Sequence, residues 1–296
     1  MTDHPSSIVV PGQMPDVSER KQARRENWRL IRRRPAFLIG MAILLVWVVC
    51  ALFPLTIAPH HPLDFRTGLN QSPSWDHPFG TDQTGRDVFS RVIAGARDIL
   101  RIAPAAAVLG VLFGVILGML MGYIRGWFDI IASRIVESFL ALPVVLVGLL
   151  AVTTMGNSAW VVIGVVAALF TPIVARTVRA AVLAERELDY VTSAKLRGES
   201  TMFIMFREIL PNVMGPIVVE LTVRLGYAVF TVATLSFLGA GPPPPSPDWG
   251  SQVSDNYSSI VSGFWWRTFF PAGAIASLVI SVNMIADSVQ SVMEAS

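Results

Sequence analysis

Five stretches of the chain contain no Asp, Glu, Lys or Arg: 36–63, 102–124, 138–175, 225–246 and 268–286. A bilayer core about 30 Å thick takes roughly 20 helical residues at about 1.5 Å each. The pattern predicts six transmembrane helices, over 36–55, 99–123, 132–155, 158–180, 213–240 and 267–289. The third opens with Arg134 and Glu137, and the fifth holds Glu220 and Arg224, so these two are the least uniform. A transmembrane barrel would alternate apolar and polar residues along each strand, and these runs do not. The predicted fold class is therefore all-α and polytopic, with a membrane domain over 36–296.

The segments between the runs carry their own patterns. Val88, Phe89, Val92, Ile93 and Ala96 recur at helical spacing, with Asp87, Ser90, Arg91 and Asp98 opposite. That spacing predicts an amphipathic helix lying on the membrane surface, inside an outer loop 56–98. A second outer loop opens Gly-Ala-Gly-Pro-Pro-Pro-Pro-Ser-Pro from Gly239 and predicts a stiff extended cap with no helix. A ligand for a proline-binding domain is the other use of such a run, and a lid suits an outer loop better.

Charge orients the chain. Of 296 residues 15% are charged, against about 25% in a soluble domain, which excludes an ordinary soluble enzyme. Residues 1–20 read as a flexible polar tail. Arg20, Lys21, Arg24, Arg25, Arg29, Arg32, Arg33 and Arg34 then precede the first run, and this basic segment (within 1–35) predicts a cytoplasmic N-terminus held at the lipid surface. A nucleic-acid arm is the weaker alternative, and no nucleic-acid partner is expected. Six spans return the C-terminus to the same side. The first run exceeds a signal-peptide core and ends in no small-x-small site, so it is read as an uncleaved span. Arg176, Arg179, Arg186, Lys195, Arg197 and Arg207 make the 176–207 connection cytoplasmic, and with it the coupling loop 181–212, whereas 153–159 carries no basic residue. One cysteine, Cys50, leaves no internal disulfide. His4, His60, His61 and His77 show no zinc-ligand spacing, so no metal site is predicted; His60-His61 reads as an exposed loop pair.

The cytoplasmic connection is too polar to span and too apolar for a free loop. Asp189, Tyr190, Val191, Thr192, Ser193, Ala194 and Lys195 favour a short helix, and Gly198 allows a left-handed stop. Met202, Phe203, Met205, Phe206, Ile209 and Leu210 form a second greasy face, ended by Pro211. Two short helices joined at a glycine make a docking knob: small residues admit a partner's backbone, and Met and aromatic side chains fill its groove. On spacing alone, an interfacial helix pair that only holds the spans together is an equal reading.

This connection resembles the "EAA" loop of the integral-membrane subunits of binding-protein-dependent ABC importers. Gly198, Leu210 and Pro211 stand in the pattern, while Thr192, Ser193 and Glu208 replace its Glu, first Ala and Ile. Gly80-Thr81-Asp82-Gln83-Thr84-Gly85-Arg86-Asp87 resembles a motif of the dipeptide/oligopeptide branch just before its second span. Leu235 to Gly241 with Asp248-Trp249-Gly250, and Asn283 with Asp287 in the last span, also resemble that branch. The likeness runs from about Arg29 to the C-terminus and points to its C-type permease.

The resemblance implies a type I importer fold in a bacterial inner membrane. It also implies the partners: a B-type permease, two cytoplasmic ATP-binding subunits and an extracytoplasmic substrate-binding protein. ATP and Mg would belong to the ATPases; no cofactor and no catalysis are expected in this chain, which lacks a phosphate-binding Gly-x-x-x-x-Gly-Lys-[Ser/Thr] loop. The cargo implied is di- or oligopeptides, with nickel, glutathione, heme or another small solute as alternatives. Residues 189–211 would be the ATPase-coupling element and Gly80–Asp87 an outer motif of the substrate route. Glu220, Arg224, Asn283 and Asp287, ionisable or polar groups within spans, would line the pathway or pair spans. Glu220 and Arg224 lie i,i+4 and are placed to pair, and Arg134 with Glu137 reads as an interfacial pair. An ion-gradient-driven transporter is the rival of another class, although no internal repeat of the two halves is visible.

Overall fold

The computed structural model describes residues 31, 34–65 and 68–293. The basic run therefore lies outside the described residues except for Arg34. We label the longer helices α1 (Pro35–Leu52), α2 (Val88–Ile124), α3 (Gly126–Leu140), α4 (Val144–Met155), α5 (Ala159–Arg186), α6 (Asp189–Leu196), α7 (Met214–Leu235), α8 (Trp249–Asn256) and α9 (Trp266–Met293). Among the described residues the only strand-like pairing is an isolated bridge between Thr81 and Asp87.

The centre of the fold is the seam between α2 and α5. Gly110, Gly114, Gly118 and Gly122 recur every fourth residue on one face of α2. A Cβ at Gly114 would lie 2.5 Å from Val174 Cβ, and one at Gly122 would lie 2.7 Å from Val182 Cβ. Between apolar helices in lipid, association rests on close packing, which a glycine stripe permits. Contacts advance together along both helices, from Gly110 with Phe170 to Gly122 with Val182, so α2 and α5 run parallel. The chain must return between them, and α3 with α4 makes that return.

This return corrects the expected straight span over 132–155: α3 and α4 meet at a bend of 90°. Pro143 has no N–H to donate and disfavours helix at the residue before it, so the helix stops at Leu140 and restarts at Val144. Among the described residues five helices are long and apolar enough to cross a membrane, and the bent pair brings the number to as many as six.

Three further expectations change. The surface helix placed at 87–98 is instead the opening of α2, a continuous helix of 37 residues. At about 1.5 Å per residue it is about 55 Å long, more than a bilayer core requires. Asp87 caps its N-terminus by accepting from the Ser90 N–H at 2.8 Å. The polar residues Asp87, Ser90 and Arg91 are buried: His77, from the segment before α2, meets Asp87, and the 242–256 segment lies across Arg91. That segment was expected to be extended throughout. Instead Pro244 and Pro245 lie in a turn, with the Ser246 N–H donating to the Pro243 carbonyl at 3.3 Å, and Asp248 accepts from the Ser251 N–H at 2.8 Å and starts α8. Finally, α5 continues through Arg186, so the first six residues of the expected 181–212 loop are helix.

Candidate functional site

The loop after α5 folds as two short helical pieces around a glycine turn. Gly198 takes φ +76°. Its N–H donates to the Lys195 carbonyl at 3.0 Å, and the Glu199 N–H donates to the Ala194 carbonyl at 3.2 Å. These two bonds close the C-terminus of α6 around a left-handed residue. Ser200 then accepts from the Phe203 N–H at 3.3 Å and starts the next piece. Ile204–Ile209 widens into a π turn. Pro211 brings no N–H for the carbonyl four residues back, which suits a locally wider turn.

The pieces sort their side chains sharply. Val191 and Ala194 are fully buried and join Met205, Ile209, Val182 and Met119 in one apolar cluster. Tyr190, Phe203 and Leu210 are half-buried, whereas Asp189, Thr192, Ser193, Lys195, Gly198 and Pro211 are exposed. This corrects the docking reading of Ala194: its small side chain lets α6 lie against the bundle and is not presented to a partner. Leu196 at 85% exposure, Met202 at 62% and the exposed Phe206 form the outward apolar ridge.

The loop is braced from behind. Arg186 Nη1 donates to the Tyr123 carbonyl at 2.7 Å, with its guanidinium 5.7 Å from the Tyr123 ring centroid, and Lys195 Nζ lies 5.8 Å from the same ring. Tyr190 Oη donates to Glu185 Oε2 at 2.7 Å. Burial and that bond push the phenol up to about 12. Asp129 receives Arg179 in a two-pronged pair, with Nη2 to Oδ2 at 2.7 Å, tying α3 to α5. Neither Tyr123 nor Asp129 was singled out from the sequence, and Arg186 was read only as a charge that orients the loop. The signal available was a basic residue, Arg179, within a largely apolar helix and an acid, Asp129, two helices earlier.

At the far end of α2 the Gly80–Asp87 motif is a clasp. Asp82 accepts from the Thr84 N–H at 2.8 Å, the Thr84 hydroxyl at 2.7 Å, the Arg86 N–H at 3.0 Å and Arg86 Nε at 2.7 Å. Burial raises the Asp82 carboxyl, but these donors more than offset it and hold it below its ordinary value. Thr81 donates to the Gly68 carbonyl at 2.6 Å. Gly80 and Gly85 adopt φ +71° and +77°. A Cβ at Gly80 would sit 2.7 Å from Trp266 Nε1, so the turn packs directly against the start of α9. Thr81, Asp82 and Asp87 are buried. The polar side chains of Thr81, Asp82 and Asp87 are taken up in internal bonds. Trp249, almost fully buried, donates Nε1 to the Val92 carbonyl at 2.7 Å and completes this end.

The four intramembrane candidates separate into pairs. Arg224 Nε lies 2.9 Å from Glu220 Oε2, and Glu220 Oε1 accepts from the Thr177 hydroxyl at 2.8 Å, so this pair bonds α7 to α5. Asn283 and Asp287 instead line a groove of about 430 Å³ between α7 and α9, with Tyr227 and Gln290. Gly226 leaves room for Asn283, since a Cβ there would fall 2.2 Å from Asn283 Oδ1. Arg134 and Glu137 pair at 3.2 Å on an exposed face.

A polytopic helical bundle with a braced apolar knob at one end, a sealed clasp at the other and a groove between two spans is the architecture of an integral membrane protein. Residues 114–296 match the family model of the binding-protein-dependent transport system inner membrane component, and 23–73 match the N-terminal transmembrane domain of oligopeptide transport permease C. The chain is 36% identical to the dipeptide transport system permease protein DppC of Bacillus subtilis, over 91% of this chain and 85% of that protein. It is 33% identical to the protein of the same name from Alkalihalophilus pseudofirmus, over 99% and 95%. A putative peptide transport system permease protein of Brucella suis is 36% identical over 95% and 94%. The chain belongs to the binding-protein-dependent transport system inner membrane component family: it is a multi-pass inner-membrane permease subunit of an ABC importer.

Proposed function

We propose that this subunit forms half of a pathway for di- or oligopeptides and receives the ATPase stroke on α6 and the turn after it. The observation that carries the coupling role is the outward ridge of Leu196, Met202 and Phe206 on a loop braced by Arg186 and Tyr123. Apolar side chains held rigidly in an otherwise charged loop suit a partner's groove. The partners are a B-type permease, two cytoplasmic ATP-binding subunits that hold ATP and Mg, and an extracytoplasmic binding protein; lipid surrounds the spans. Both termini and the 181–212 loop lie in the cytoplasm: the basic residues before α1 and in the loop support the N-terminus and the loop, and six spans return the C-terminus to the same side. Closure of the ATPases moves α6 as a rigid body, and α5 and α7 tilt with it. The chain itself catalyses nothing and uses no cofactor. The peptide cargo rests on the names of the relatives.

The test is reconstitution with all partners in vesicles and measurement of ATP hydrolysis against added ligands. Di- or oligopeptides delivered by the binding protein should stimulate hydrolysis, and Ser193→Trp should abolish the stimulation while membrane insertion persists. Stimulation by nickel or glutathione alone would overturn the cargo. Full coupling in Ser193→Trp, or uptake driven by a proton gradient without the ATPases, would overturn the mechanism.

A further inference from the structure

The fold brings together three residues that the sequence holds 10 and 17 positions apart. One donor atom from each of His60, His77 and Asp87 lies within 4.8 Å of the other two. The two imidazole rings stand 4.7 Å apart between centroids, tilted by 36°. His77 Nδ1 lies 2.9 Å from Asp87 Oδ1, and His60 Nδ1 lies 4.0 Å from Asp87 Oδ2. This last distance is too long for a hydrogen bond. His60 Nδ1 is nevertheless shielded from solvent and has no partner. A buried bare nitrogen aimed at a carboxylate is costly unless something lies between them.

The surroundings hold the ligands in place. Ser90 donates its hydroxyl to Asp87 Oδ2 at 2.6 Å and accepts the His60 backbone N–H at 3.2 Å. One serine thus fixes both the carboxylate and the histidine backbone. The Asp87 carboxylate is buried, and the His60 side chain keeps 35% exposure, which leaves a route for an ion and room for a water. Tetrahedral zinc with ligands at about 2.0–2.1 Å has donor–donor edges of about 3.3 Å. The widest pair must close by about 1.5 Å, which rotation of His60 can supply.

We infer that His60, His77 and Asp87 form a binding site for a divalent first-row transition metal ion, with zinc the best match. Two imidazoles and one carboxylate suit zinc and its neighbours, whereas calcium and magnesium prefer all-oxygen sets. A solvent water completes the fourth position. The 2.9 Å contact between His77 and Asp87 requires a shared proton, which the ion displaces to solvent. The bound ion ties the segment after α1 to the first turn of α2.

The experiment uses the full-length, tag-free chain in lipid nanodiscs, titrated with Zn²⁺ against a chromophoric chelator, with thermal unfolding in parallel. Wild type should bind one ion and melt higher with it. His60→Ala should bind at least about tenfold more weakly and lose the thermal shift, while His61→Ala, its exposed neighbour, should match wild type. Co²⁺ should give a tetrahedral absorption band in wild type and not in His60→Asn, which keeps the side-chain bulk. Equal Zn²⁺ affinity in His60→Ala and wild type, a shift reproduced by Mg²⁺, or no wild-type binding would each overturn the site.

Discussion

The two ends of α2 treat their side chains in opposite ways. At its N-terminus Thr81, Asp82, Asp87, Ser90 and Arg91 are buried and hydrogen-bonded, under a lid that carries Trp249. At its C-terminal end the loop after α5 packs against it and buries Val191, Ala194, Met205 and Ile209 but leaves Leu196 and Met202 open. The first end therefore completes itself within one chain, whereas the second leaves apolar surface for another protein to cover. A polar motif is thus no guide to an exposed site, and a greasy residue in a charged loop is no guide to a core.

Substitutions should respect that contrast. The largest effect is expected from Trp249→Ala, which empties the sealed end and removes the bond to Val92. A loss of about 3–5 kcal/mol is expected, read as a large fall in melting temperature in detergent. Asp82→Asn comes next, at about 1–3 kcal/mol near neutral pH, because an amide cannot accept all four donors. Its pH dependence has a definite sign. The Asp82 carboxyl is depressed in the folded protein, so its contribution is present above the ordinary value of about 4 and is lost as pH falls through the lower folded value. The melting difference between wild type and Asp82→Asn should therefore narrow on acidification below about pH 4; a constant difference would show that the charge is not what the donors read.

Gly198→Ala is smaller, about 1–2 kcal/mol. No atom lies within 4 Å of the new Cβ, and the cost is the left-handed backbone alone. ATPase coupling should fall by much more than that cost implies, since the turn sets the direction of the ridge. The smallest change in stability belongs to Leu196→Asp, within about 0.5 kcal/mol, as for exposed positions generally. Peptide-stimulated ATP hydrolysis by the reconstituted transporter should nevertheless collapse. A Leu196→Asp protein that couples normally would erase the distinction between the two ends.

Residue order alone determined the membrane class, the approximate spans and the glycine stop at 198. These follow from local quantities: lengths of uncharged sequence against bilayer thickness, and a residue without Cβ where φ must be positive. The i,i+4 pairing of Glu220 with Arg224 was legible for the same reason, since helix geometry fixes that separation. Only the tertiary structure decided the rest. Whether Ala194 faces a partner or the bundle depends on where α2 and α5 end. Whether Arg91 meets water depends on a lid about 160 residues later in the chain. The gathering of His60 and His77 around Asp87 depends on how the segment before α2 folds back. A periodic pattern distinguishes a polar face from an apolar one, but it does not state what will cover either face, and that choice is made by long-range packing.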